Sequence, residues 1–183
     1  MDLITQDFFN RDTLIVAKEL LGCVLIKNNP DGTRQSGIIV ETEAYKSNDP
    51  ACHAFRGKTK RSITLFKEPG LSYVYFTYGM HHCMNIVTEP YDTAGAVLIR
   101  ALEPVKNVEN TNGPAKLCKA MNITRELNEI PVFEKDSVLQ VYTAKKIPEK
   151  KIIQTTRIGI KLAADYPWRF YIKGDPFVSK PVR

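Results

Sequence analysis

The sequence is poor in what a metal centre or a disulfide framework needs. Its 183 residues hold only 4 cysteines and 3 histidines. Cys23, Cys52, Cys83 and Cys118 are scattered, with no Cys-x-x-Cys pair, which argues against a metal cluster. The first residues carry no signal-peptide pattern, so a secreted disulfide scaffold is not expected either. His81-His82-Cys83 sets three candidate ligands in a row, but neighbouring side chains point apart and no second ligand set stands at a suitable spacing. No apolar run approaches the length of a membrane span. Internal repeats, low-complexity tracts and a domain-splitting linker are missing as well. These absences point to one domain in a reducing, intracellular compartment, with no membrane span and no metal cluster.

What is present is ordinary in bulk and unusual in placement. Hydrophobic and charged fractions of 43% and 25% are those of a globular chain long enough to bury a core. The net charge is +6, from 26 basic and 20 acidic residues. Residues 56–67 carry Arg56, Lys58, Lys60, Arg61 and Lys67 with no acid among them, a pattern that suits contact with phosphates. The same run would also serve as a plain mobile basic loop.

Strands dominate the pattern. Asp12 is placed to cap a helix running through Leu14, Ala17, Lys18 and Leu21, with Gly22 as its stop. Residues 23–27 read as a strand, 28–32 as a turn, and the chain returns as a strand to about Tyr45. Residues 47–67 read as loop. Tyr73, Val74, Tyr75, Phe76, Thr77 and Tyr78 form a strand, Gly79 turns the chain, and 83–88 return it. The tip of that hairpin carries Tyr78, Met80, His81 and His82, large side chains on an exposed turn that core packing does not require. Residues 96–102 read as a buried strand, Asn112-Gly113-Pro114 opens a short helix, and 139–143, 151–160 and 168–173 are further strands. The expected fold is α+β: a single compact domain over residues 1–183 with a mostly antiparallel sheet and flanking helices.

Two features invite chemistry. Alternation along Ile39, Glu41, Glu43 and Tyr45 places four side chains on one face, two of them carboxylates beside an aromatic at a strand end. Such acids face water, bind something, or act as a general base. Arg100, inside an otherwise apolar strand, needs a carboxylate such as Glu43 or a bound anion. His53 follows a turn and sits either in a site or on a loop. An acid, an arginine, several tyrosines, a histidine, a basic loop and an aromatic tip form the inventory of an enzyme that extracts a base from nucleic acid. Aromatic walls would favour an alkylated base carrying positive charge through cation–π attraction. Two other readings stay open here: a nucleic-acid-binding domain without catalysis, and a carbohydrate glycosidase using Glu41 and Glu43 roughly 7 Å apart.

Several motifs, in order along nearly the whole chain, resemble the alkyladenine (3-methyladenine) DNA glycosylase family. They are Val40 to Tyr45, His53, Tyr73 to Met80 with Cys83-Met84-Asn85, Leu98 to Pro104, Gly113 to Cys118, and Arg169-Phe170-Tyr171. The resemblance implies a curved antiparallel sheet with a protruding hairpin and no metal or cofactor. It also implies a monofunctional glycosylase that flips damaged purines from duplex DNA and leaves an abasic site. By the same resemblance, Glu43 is the general base and Arg100 its partner in holding the attacking water. Tyr45, His53 and Tyr75 wall the base pocket, and Asn85 screens out normal bases. Tyr78 is the intercalating wedge with Met80 beside it, and Arg56, Lys58, Lys60, Arg61 and Lys116 are the candidates for phosphate contact. The implied partner is double-stranded DNA bearing damaged purines, met by a monomer without a tail-recruited partner. A bacterial, nucleoid-associated cytoplasmic setting is expected, or a nuclear one in a eukaryote.

Overall fold

The computed structural model describes residues 1–77 and 79–182. Its centre is one long strand, β2 (Arg34–Lys46), formed by a β-branched and aromatic run that returns from the Asn29–Thr33 turn after β1 (Val24–Asn28). Along one edge β2 pairs with β5 (Gly95–Lys106) from Ser36 to Lys46. Along the other edge it changes partner. Residues 34–38 pair with β1, and residues 41–43 pair with β8 (Arg169–Ile172). The sheet extends through β4 (His81–Val87) to β3 (Ser72–Thr77) at one edge. At the opposite edge stands β6 (Leu139–Tyr142), while β7 (Ile152–Thr155) pairs with β8. Every pairing is antiparallel. The fold is a compact α+β domain with a curved antiparallel sheet and flanking helices, as the sequence led one to expect.

One face of the sheet is closed by helices. Besides α1 (Gln6–Phe9), these are α2 (Thr13–Glu19) and α3 (Pro114–Ala120). Thr13, Val16, Ala17 and Leu20 recur at helical spacing and are fully buried. Val16, Ala17 and Leu20 join Ile39, Ala44, Val97, Ile99 and Leu102 from the sheet, and Leu117, Cys118 and Met121 from α3, in one core. Full burial of each such large aliphatic side chain contributes about 1.5–3 kcal/mol. Asp12 caps α2 as expected, its carboxylate accepting the amides of Leu14 and Ile15 at 2.8 and 3.3 Å. The helix is shorter than its apolar pattern. Leu20 caps it, and Gly22 stands beyond the cap at φ 86°, where a Cβ would collide with the Lys145 carbonyl oxygen.

The structure departs from simple alternation in β2. Ile39 does not share a face with Glu41 and Glu43; it packs into the helix-side core, while Val40 belongs to a separate cluster with Ala101, Tyr171 and Val178. The register explains this. Ile39 pairs with Leu102 and Glu41 with Ala101, so Val40 is an extra residue on β2. Glu41 pairs with Ala101 and Thr42 with Ile99, so Arg100 is an extra residue on β5. Two adjacent bulges thus sit where β2 exchanges β1 for β8, and bulges re-aim side chains. Residues 151–160 are not one strand either. β7 ends at Thr155, and the chain then runs irregularly across the sheet face opposite the helices. That face holds the cavity described below.

Because Asp12 satisfies two otherwise orphaned amides and also receives Lys46 Nζ at 2.5 Å, Asp12→Ala should cost about 1–2 kcal/mol. Urea unfolding measures it: the midpoint falls with an unchanged m-value, and Asp12→Asn, whose amide oxygen can still cap, loses much less.

Candidate active site

A cavity of about 350 Å³ opens on the sheet face away from the helices. Its floor comes from alternate residues of four strands: Glu43 and Tyr45, Tyr73 and Tyr75, Cys83 and Asn85, and Ala96, Leu98 and Arg100. Its sides come from the 51–65 loop, which brings His53, Arg61 and Leu65, and from Ile158, Gly159 and Ile160. All six residues expected to form the catalytic pair and the base pocket (Glu43, Arg100, Tyr45, His53, Tyr75, Asn85) line this one space.

Glu43 is fully buried yet faces the cavity. Its Oε2 accepts the Tyr45 hydroxyl at 2.8 Å, and its Oε1 accepts the Ile158 amide at 2.8 Å. Arg100 Nη1 lies 3.3 Å from Oε1. A carboxylate has about four lone-pair sites, so an acceptor position remains for a molecule in the cavity. Glu41 is different. Fully buried, it receives Arg169 Nε at 2.7 Å, Arg100 Nε at 3.2 Å, and the Ser179 amide and hydroxyl at 2.7 and 3.0 Å. It does not line the cavity. The glycosidase reading needs both acids in contact with substrate, so it fails on Glu41. Arg100 pairs with both carboxylates, making its better hydrogen bond to Glu41.

The aromatic wall is tightly set. His53 meets Tyr75 edge-on with ring centroids 4.7 Å apart, and Tyr73 lies 5.4 Å from Tyr75. The Tyr73 hydroxyl donates to the Arg61 carbonyl at 3.0 Å and lies 2.9 Å from His53 Nδ1. With its one proton committed to that carbonyl, the hydroxyl accepts from Nδ1–H, which leaves Nε2 as an acceptor. Burial, aided by the Arg61 charge, pushes the His53 pKa down to about 4, so the ring is neutral at physiological pH. Burial also drives Tyr45 far above its ordinary value, an effect that the Glu43 charge reinforces, and Tyr45 remains a hydrogen-bond donor. Asn85 Nδ2 donates to the Tyr73 carbonyl at 3.0 Å, fixing the side-chain amide against the cavity floor.

Three supporting groups were given no role by the sequence, although Arg169 stood in one of its motifs. Arg157 is buried with Asp49, its Nη2 donating to Oδ1 at 3.0 Å and its Nη1 pairing with Oδ2, and Nη1 also donates to the Ala44 carbonyl at 3.0 Å. Its guanidinium lies 4.6 Å from the Tyr45 ring centroid and 5.2 Å from that of Trp168. Arg157 therefore holds the back of Tyr45 while the next residue, Ile158, donates to Glu43. Arg169 and Ser179 close the shell of Glu41. The arginines at 157 and 169 each interrupt a strand-like run as Arg100 does, which was the available clue.

Of the other expected residues that the structure describes, Arg61 lines the cavity and Met80, Arg56, Lys58, Lys60 and Lys116 do not. Met80 is 70% exposed in the turn between β3 and β4, next to Gly79 at φ 68°. Tyr78 lies outside the described residues. Arg56, Lys60 and Lys116 are exposed; Lys58 is exposed too but pairs with Asp92. Among the described residues no group of three or more His, Cys, Asp or Glu side chains could hold a metal ion. Among the described residues, likewise, no helix is long and apolar enough to cross a membrane.

The curved antiparallel sheet thus carries one cavity-facing carboxylate, a guanidinium shared with a second acid, and a wall of tyrosines. The sequence model of the methylpurine-DNA glycosylase family matches residues 7–176. Similar full-length proteins carry 3-methyladenine DNA glycosylase in their names. One from Carboxydothermus hydrogenoformans is 47% identical, covering 97% of this chain and 99% of its own length. Another, from Prosthecochloris aestuarii, is 44% identical over 98% of this chain and 92% of its own. A third, from Clostridium perfringens, is 42% identical over 96% and 98%. The chain belongs to the methylpurine-DNA glycosylase family.

Two outcomes follow from the buried charges. Truncating Glu41 leaves two guanidiniums without their shared partner, so Glu41→Ala should lose about 3–5 kcal/mol of stability in chemical denaturation. For His53, the folded pKa of about 4 lies below the unfolded value of 6.5, so between those values the unfolded chain binds the extra proton. The stability from keeping this ring neutral is complete above pH 6.5 and is lost as pH falls toward 4. Denaturation midpoints at pH 7 and pH 5 should therefore converge in His53→Gln relative to the parent protein.

Proposed function

We propose that this chain is a monofunctional DNA glycosylase that hydrolyses the N-glycosidic bond of a damaged purine swung out of duplex DNA. The observation that carries the reading is the environment of Glu43: a buried carboxylate with a free acceptor position, facing a cavity walled by Tyr45, His53, Tyr73 and Tyr75. A water held between Glu43 and Arg100 gives its proton to Glu43 as its oxygen bonds to C1′. The bond from C1′ to the base breaks, the electron pair leaves with the purine, and an abasic site remains. The Tyr45 hydroxyl, the Ile158 amide and Arg100 keep the carboxylate oriented while it gains that proton, which counts because a displacement of about 1 Å can cost 10²-fold in rate.

Stacking between rings holds the extruded base, and Asn85, pinned on the cavity floor, meets normal purines with steric conflict at an exocyclic amino group. Tyr78 is the proposed wedge on the strength of the family pattern, with Met80 exposed two residues on to pack beside it. Arg56, Lys60 and Lys116 are free to meet phosphates. The protein acts as a monomer on double-stranded DNA, in a bacterial cytoplasm or, in a eukaryote, a nucleus. A binding module without catalysis would leave the Glu43–Arg100 couple and its supporting hydrogen bonds without a purpose.

The test is Glu43→Gln. It keeps the shape of the side chain and removes the base, so affinity for a duplex carrying one hypoxanthine should survive while excision, read by alkaline cleavage, falls by at least 10²-fold. Normal release of the base by this variant would refute the general-base assignment.

A further inference from the structure

We propose that Arg61 tunes lesion preference, turning the cavity toward damaged purines that are uncharged and away from those bearing a fixed positive charge. This rests on reading the cavity as a base pocket and adds a selection rule to it.

The charges around the cavity nearly all cancel. Glu41, Glu43, Arg100 and Arg169 form one linked cluster of two carboxylates and two guanidiniums. Arg157, behind Tyr45, is matched by Asp49. Arg61 also lines the cavity, and it forms no ion pair among the described residues. Its backbone carbonyl is tied to the Tyr73 hydroxyl at 3.0 Å, which fixes the segment at the rim. Its guanidinium lies 5.4 Å from the Tyr75 ring centroid. The neighbouring His53, a neutral ring, adds no charge of its own.

The aromatic wall thus meets an entering base with cations already in place: Arg61 over Tyr75 and Arg157 over Tyr45. A ring quadrupole that already attracts a guanidinium has less to offer a second cation. A purine methylated at N7 carries its charge into the same space, losing hydration as it approaches an unmatched guanidinium. Hypoxanthine enters uncharged and meets no such repulsion. Arg61 is exposed, so the effect is screened: it should be of modest size and should fade with salt.

The experiment compares release of 7-methylguanine and hypoxanthine from one duplex context, under single-turnover conditions with enzyme in excess, at low and high ionic strength. Arg61→Gln should raise the 7-methylguanine to hypoxanthine rate ratio by about fivefold at low salt. Arg61→Lys, which keeps the charge, should hold the parent ratio, and in the parent protein added salt should move the ratio in the direction of the glutamine variant. An unchanged ratio in Arg61→Gln overturns the proposal. So does an equal fall for both lesions, which is the behaviour of a phosphate contact. If the parent protein releases neither base, the glycosylase reading fails instead.

Discussion

Four charges held out of water between β2, β5 and β8 organise this molecule. Glu41 and Glu43 come from one strand, Arg100 from the strand on its left and Arg169 from the strand on its right, as the order β5-β2-β8 runs. Burying such groups singly is costly, and burying them together is tolerable only when nearly every lone pair and proton is matched. Ser179 completes the match at Glu41 with its amide and hydroxyl. The cluster therefore does two things at once. It ties the C-terminal strand to the centre of the sheet, and it fixes Arg100 so that the other end of its guanidinium reaches Glu43.

The two carboxylates illustrate how environment divides roles between identical groups. Glu41 accepts from four donors and does not line the cavity, so it serves geometry. Glu43 has a tyrosine hydroxyl, a backbone amide and a guanidinium arranged on one side and open space on the other. The same preorganisation that makes the network expensive to build keeps the acid aimed without rearrangement during reaction. Arg157 extends this logic one layer back, pressing on Tyr45 while its chain neighbour Ile158 supplies the amide.

The bulges at Val40 and Arg100 make this arrangement possible. Without the extra residue at Val40, unbroken alternation from Ile39 would keep Glu41 and Glu43 on the face of that core side chain, under α2. The shift lets Ile39, Thr42 and Ala44 serve the helix-side core, with Thr42 donating to the Ala17 carbonyl at 2.8 Å, while the acids and Tyr45 serve the opposite face. One strand thereby feeds the core and the site.

Much of this could be read along the chain. Aromatic and β-branched runs separated by turn residues dictated hairpins, Asp12 announced its helix, and a lone arginine in an apolar strand demanded an acid, because each rests on the chemistry of a few adjacent residues. The motif order from Val40 to Tyr171 identified the family for the same reason. Which acid Arg100 would meet, and that it would meet two, depended on strands far apart in sequence. The pairing of Asp49 with Arg157, the reach of the Ile158 amide to Glu43 and the bulge that separates Ile39 from Glu41 are likewise long-range facts. Local pattern fixes which way a side chain points only while the register is regular; where β2 exchanges one neighbour for another, only the packed sheet decides.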